Sequence, residues 1–281
     1  MEIWLNQERL SKVPLEDLGV LMVENTAITV TGKLLDSLAR HGAIVSVCDP
    51  FHLPASLLLP LHGVALTAAR TRAQCSLSLP KRKQIWKQII AAKIRFQGQV
   101  LGSDTHQGKI LFRLADEVAP GDPKNHEASA ARHYWQHLFK AHAVDFKRSS
   151  EHEINTYLNY GYSVVRSAIA RAIVAAGLTP VFGVFYESHD NYFALADDFI
   201  EVFRPLVDLH IKGLLSEPDR LDQKSFKRAL LGILTKSVMI KGECTPFLTA
   251  IDQLVDSYVG ILEGRRSKLL LPDLCEFQAT D

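Results

Sequence analysis

Residues 74–96 read Q-C-S-L-S-L-P-K-R-K-Q-I-W-K-Q-I-I-A-A-K-I-R-F, and the pattern changes within them. The first half is short and turn-prone. Beyond it Ile85, Ile89, Ala92 and Phe96 fall close to one face of a helix at ~100° per residue. Upstream lie short β-type runs, E-I-W-L, G-V-L-M-V and A-I-T-V-T, then a small helix G-K-L-L-D-S-L-A-R-H-G ending near Gly42 and the buried strand A-I-V-S-V-C-D. Downstream the periodicity predicts helices over 125–139, 153–177, 191–203, 224–239 and 245–262. The expected fold is α+β: a small β-rich N-terminal domain at 1–73, a linker at 74–84, and a larger all-α domain at 85–281.

The chain has 281 residues, with 32 Lys and Arg against 31 Asp and Glu. That balance excludes a globally basic nucleic-acid coat, yet it allows a basic groove set against an acidic site. Cys48, Cys75, Cys244 and Cys275 are far apart and form no C-x-x-C, which argues against a zinc knuckle or a disulfide framework. No apolar run reaches the length of a membrane span, and the first residues lack a basic-then-apolar leader, so a soluble cytoplasmic protein is expected.

Candidate chemistry gathers first in L-A-D-D-F-I-E-V-F-R-P, residues 195–205. Leu195, Phe199 and Val202 form an apolar stripe, Asp198 and Glu201 are helical neighbours, and Pro205 is expected to stop the helix. Two such carboxylates can share a hard divalent cation, Mg²⁺ or Mn²⁺, or they can form a solvated acidic face. Glu127, in G-D-P-K-N-H-E-A, follows helix-start residues; it is either a further ligand or a first-turn carboxylate favoured by the helix dipole. Asn155, Asn159, Tyr162 and Arg166 recur at helical spacing in an apolar segment, where they either satisfy one another in the core or line a groove for a phosphate backbone. Basic residues Arg70, Arg72, Lys81, Arg82, Lys83, Lys87, Lys93 and Arg95 offer phosphate contacts or a solvated hinge. His133 and His137 form H-x-x-x-H without the glutamate of a zinc protease helix, and His189 with Asp190 forms an HD dipeptide.

Five segments in order carry a resemblance: A-I-T-V-T-G-K-L-L-D-S-L-A-R-H-G-A-I-V-S-V-C-D-P, I-W-K-Q-I-I-A-A-K-I-R-F-Q, G-D-P-K-N-H-E-A-S-A-A-R-H-Y-W, L-N-Y-G-Y-S-V-V-R-S-A-I-A-R-A-I-V-A-A-G-L-T-P and L-A-D-D-F-I-E-V-F-R-P. With these the chain resembles the CRISPR-associated adaptation integrases, the larger of the two near-universal proteins that insert spacers into a CRISPR array. The resemblance implies a β-rich domain that pairs two subunits and a helical domain with one divalent-metal site. It assigns Glu127, Asp198 and Glu201 to that site. The family's histidine falls where this chain has Tyr186, in G-V-F-Y, and a phenol is a poor ligand for Mg²⁺ or Mn²⁺. His189, three residues later, is the expected substitute, with Tyr186 near the site.

The implied reaction is a metal-dependent transesterification, in which a 3′-hydroxyl of a short duplex attacks a phosphate at the repeat boundary; nicking of branched DNA would use the same site. The implied DNA contacts are Asn159, Tyr162, Arg166, Lys81, Arg82, Lys83, Lys93 and Arg95. The implied partners are double-stranded DNA (spacer precursor and repeat), a second copy of the chain, and a small ferredoxin-like protein. Two other readings stand beside this one: an architectural DNA-binding subunit whose catalysis is weakened by Tyr186, and an unrelated phosphohydrolase using His189 and Asp190.

Overall fold

The computed structural model describes residues 1–25, 27–48, 54–58, 60, 67–141, 146–185, 190–217 and 222–274. The chain opens with an antiparallel hairpin, β1 (Glu2–Leu5) and β2 (Glu8–Lys12). It is followed by β3 (Val20–Val23), α1 (Gly32–Arg40), β4 (Ile44–Cys48) and β5 (Pro54–Leu58). β3 and β4 pair in parallel across α1, and β5 adds to β4 antiparallel, giving the order β3-β4-β5. Leu38 of α1 packs with Val23, Ala43 and Val45 in a small core of this region. The run 27–31 is not a strand, because Thr31 instead caps α1, its hydroxyl accepting from the Leu34 N–H at 3.2 Å.

Ten helices are described in all. After α1 come α2 (Thr67–Cys75), α3 (Leu79–Val100), α4 (His106–Glu117), α5 (His126–Leu138) and α6 (Glu153–Ala175). Next are α7 (Ala194–Ile200), α8 (Arg204–Leu215), α9 (Gln223–Leu230), a 3-10 turn at Leu231–Thr235, and α10 (Phe247–Leu262). Residues 74–84 thus comprise the end of α2, a three-residue break, and the first turns of α3, with Ser78 at its N-cap and Pro80 in its first turn. The stretch 224–239 is not one helix. It passes from α9 through the 3-10 turn into β6 (Ser237–Ile240), which pairs with β7 (Glu243–Pro246). Positive φ at both Lys241 and Gly242 makes the tight turn that joins these two strands. Pro205 does not simply end a helix: it lies in the first turn of α8, where its missing N–H costs no hydrogen bond.

Two helices organise the interior. α3 packs on α4, α5, α7 and α8, while α6 packs on α7, α8, α9 and α10. Ile85, Trp86, Ile89, Ile90, Ile94 and Phe96 of α3 join Leu158, Val165 and Ile169 of α6 in one apolar core. Each such side chain stabilises the fold by roughly 1.5–3 kcal/mol on burial. The contact of α3 with α4 is close because both carry glycine: a Cβ on Gly108 would lie 2.8 Å from the Gly98 carbonyl oxygen of α3, and 2.2 Å from that of Gly102 in the connecting loop. Between the two organising helices runs α7, with Leu195 and Phe199 at 0 % exposure. Among the described residues no helix is long and apolar enough to cross a membrane.

Candidate metal centre

Three separate elements meet at one ammonium group. Lys93, on α3, places Nζ 2.6 Å from Glu127 Oε1 and 2.6 Å from Glu201 Oε2. Glu127 comes from the first turn of α5, and Glu201 is the residue at which α7 ends. Two carboxylate oxygens this near a single atom can both touch one cation.

The start of α5 explains why Glu127 is available. Asp122 accepts from the N–H groups of His126 and Glu127, both at 2.9 Å, and Asn125 at the N-cap accepts from Ala128 N–H at 3.3 Å. The orphan donors of the first turn are therefore satisfied by other side chains. The Glu127 carboxylate is free to cross to α3.

Glu201 is 4 % exposed, and its other oxygen accepts from Arg204 Nε at 2.9 Å. Burial would raise its carboxyl, but Lys93 and Arg204 outweigh that and hold it below the usual carboxylate range. Lys93 behaves as the mirror image: burial favours loss of its proton, and Glu201 and Glu127 together hold it above the usual lysine value. Glu201 Oε2 is buried and meets Lys93 Nζ in a close charged contact at 2.6 Å. A buried carboxylate oxygen in this state, beside a second carboxylate, suits a hard cation that takes oxygen donors.

A polar network supports the pair from below. Arg204 stacks over the Tyr162 ring, 4.5 Å from its centroid. The Tyr162 hydroxyl donates to Asp208 Oδ1, and the Tyr134 hydroxyl donates to Asp208 Oδ2 at 3.1 Å. Burial pushes the Asp208 carboxyl up to about 7 although both hydroxyls, Arg204 and Arg148 favour its charged form. Burial also raises both tyrosines well above their ordinary value.

Asp198 has a different task. It is fully buried, and its Oδ2 accepts from the backbone N–H groups of Val184 and Phe185, the latter at 3.1 Å. Arg82 Nε donates to the Val184 carbonyl at 2.9 Å, and the Trp86 ring stacks on Phe185 with centroids 4.3 Å apart. The chain is therefore fixed on three sides immediately before residue 186. Tyr186 and His189, the expected third contributors, lie outside the described residues. Among the described residues no group of three or more His, Cys, Asp or Glu side chains gathers as metal ligands. The structure brings Glu127 and Glu201 together and leaves Asp198 as an anchor of the neighbouring backbone.

The residues read as DNA contacts divide. Lys93 is 8 % exposed and belongs to the acidic pair, so it does not face a phosphate backbone. Tyr162 is buried on Asp208, and Asn159 Oδ1 accepts from Arg148 Nη2 at 2.6 Å. Asn155 takes Arg148 Nη1 at 3.1 Å, so the polar positions of α6 satisfy partners within the protein. Arg166 is paired with Asp197, Nε to Oδ1 at 2.6 Å, and lies over Phe193 at 4.4 Å. Arg82 holds Val184, as above. Lys81 and Lys83 are exposed on the first turn of α3, and Arg95 is exposed beside Asp116. Sequence reasoning missed Arg204, Asp208 and Arg148. The spacing of Glu201 and Arg204 at i,i+3 was the available signal for the first, and a lone acid in the apolar run of α8 for the second.

Comparison with known proteins follows from this geometry. Residues 1–241 match the family model described as CRISPR associated protein Cas1. Over 269 residues the chain is 38 % identical to the CRISPR-associated endonuclease Cas1 of Neisseria meningitidis serogroup C, covering 93 % of this chain and 87 % of the relative. A casposase bound to its integration product superposes with a TM-score of 0.61 at 23 % identity, covering 90 % of this chain and 85 % of the other. A Cas6-RT-Cas1 protein solved in complex with Cas2 gives a TM-score of 0.74 at 19 % identity, with 95 % of this chain and 33 % of that one covered. The two superpositions speak to the fold.

Proposed function

The chain belongs to the CRISPR-associated Cas1 family, and from that membership we propose that it is a divalent-metal-dependent DNA endonuclease and integrase that inserts short duplexes into a CRISPR array. The observation that carries the reading is the convergence of Glu127 and Glu201, 74 residues apart in the chain, on a single cation position. The endonuclease name of the relative at 38 % identity supports the reaction class.

Glu127 and Glu201 would hold Mg²⁺ or Mn²⁺, with His189 as the third ligand. When bound, the ion supplies a Lewis acid for the phosphoryl oxygen and stabilises charge on the attacking and leaving oxygens. The protein does the rest. Arg204 keeps one Glu201 oxygen engaged so that the other points at the cation position. Asp198, Arg82 and Trp86 fix residues 184–185. Lys81 and Lys83 offer positive charge to a DNA backbone. In the joining step a 3′-hydroxyl oxygen bonds to phosphorus as the bond from that phosphorus to a neighbouring 3′-oxygen breaks. The proton lost by the attacking hydroxyl is matched by the one gained by the leaving oxygen, and no electrons change hands.

We assign subunit pairing to residues 1–73 and catalysis to residues 85–281. Exposed Ile3, Trp4, Leu5 and Leu10 on the β1–β2 hairpin support a second copy of the chain as one partner; the small ferredoxin-like protein is the other. The test is strand transfer of a labelled duplex with free 3′-hydroxyls into supercoiled plasmid. Joining is expected with Mn²⁺ and lost with chelator or with Glu127→Gln. Tight duplex binding without joining, even with the small partner added, would instead support an architectural subunit.

A further inference from the structure

We propose that Lys93 is a built-in competitor of the metal: its ammonium seats in the cation position between Glu127 and Glu201, and it is displaced when a divalent ion binds there. This rests on the proposed metal site and specifies how that site is filled when no metal is present.

Lys93 follows Ile89 by four residues and Ile90 by three, so it stands on the stripe that these residues bury, among neighbours at 0 % exposure. A lysine placed there must find anionic partners, because an unpaired buried ammonium is costly. It finds two, each at 2.6 Å, and no described carboxylate pair elsewhere brackets an ammonium in this way. Lysine supplies a compact point charge on a long stem, where arginine would supply a planar fork, so its Nζ can enter a space meant for a single ion and leave it again.

Charge balance favours the exchange. Glu127 and Glu201 carry two negative charges, and Lys93 with Arg204 already offsets them. A divalent ion added beside both cations would leave four positive charges against two negative ones in a largely buried cluster. Arg204 is held by Glu201 on one side and the Tyr162 ring on the other, whereas among the described residues Lys93 is held by the two carboxylates alone. Lys93 is therefore the cation that leaves, on the side of Glu127, the more exposed of the two carboxylates. In the metal-free protein it also prevents two carboxylates from facing each other uncompensated, which keeps the site assembled before the ion arrives.

Lys93→Met keeps the length of the side chain and removes the charge. If the ammonium occupies the position in about nine molecules of ten or more, its removal should tighten the apparent affinity for Mn²⁺ about tenfold or more. The measurement is calorimetric titration of the full chain with MnCl₂ near pH 8, where a carboxyl proton competes weakly. Equal or weaker binding by the variant, with wild type binding normally, would overturn the proposal and leave the proposed function standing. Absence of Mn²⁺ binding by both proteins would overturn both. A second readout needs no variant. In native wild-type protein, reductive methylation followed by mass spectrometry should find Lys93 protected in chelator and modified several-fold more with saturating Mg²⁺, against unchanged labelling of Lys81. Protection that is unaltered or greater with Mg²⁺ would overturn the proposal.

Discussion

Replacing Asp208 by asparagine should remove a specific part of the protein's pH-dependent stability. Asp208 is 1 % exposed and accepts hydrogen bonds from Tyr134 and Tyr162, yet burial still pushes its carboxyl up to about 7. The folded protein therefore holds a proton there between about pH 4 and pH 7 that the unfolded chain has released. The stabilisation is fully present below the unfolded value and is lost as the pH rises through the folded one. Taking 3.8 for the unfolded chain and about 7 for the folded one, integration from about pH 5 to about pH 8 gives roughly 2.6 kcal/mol. An asparagine can accept from one tyrosine hydroxyl and donate to the other, so the variant keeps the network without the titration. The assay is urea unfolding of wild type and Asp208→Asn at both pH values, compared as a difference so that the other titrating groups cancel. With a slope of about 2–3 kcal/mol per molar urea, the midpoint difference should change by about 1 M in favour of the variant at the higher pH. A difference that stays constant across the two pH values would refute the reasoning. It would mean that Asp208 is charged throughout, held by Arg204 and Arg148.

Other expectations follow from single contacts. Asp198→Asn weakens two charge-assisted backbone hydrogen bonds and should cost about 2–3 kcal/mol, read as a fall in Tm of about 5–10 °C. Gly108→Ala pushes a methyl against the Gly102 carbonyl, a backbone atom that cannot swing aside, and should destabilise by about 1–3 kcal/mol or more in the same thermal assay. Lys81→Glu and Lys83→Glu together should weaken duplex binding and lower the slope of log affinity against log salt by about 2, measured by fluorescence anisotropy over a salt series. An unchanged slope would remove the start of α3 from the DNA path.

What the sequence revealed depended on how local the determining contacts were. α3, α6 and α10 could be read because long apolar stripes repeat at helical spacing, and α1 because Gly42 punctuates its end. The run 27–31 looked like a strand from its β-branched residues, but an extended Thr31 serving as a cap produces the same composition. Most of β6 was read as the end of a helix reaching 239 because V-M-I fits either period, and only pairing across Lys241–Gly242 decides between them. In the site, the segments of Glu127 and Glu201 left a first-turn carboxylate and a solvated acidic face open, and the family resemblance alone singled the two out; the structure brings them together at Lys93. Lys93 was misread as a backbone contact: basic residues nearby suggested a surface, while its register with Ile89 and Ile90 already marked it as buried. The polar residues of α6 left two readings open, and Arg148, from outside that helix, satisfies Asn155 and Asn159. No periodicity within α6 carries that information.

The most direct test of the metal centre is anomalous diffraction from crystals of the full chain soaked in MnCl₂, recorded on either side of the manganese edge. One strong peak is expected within coordination distance of a Glu127 and a Glu201 oxygen, with Lys93 Nζ withdrawn and His189 turned toward the ion. A peak on Asp197 or Asp198 instead, or none between Glu127 and Glu201 at a concentration that supports strand transfer, would contradict it.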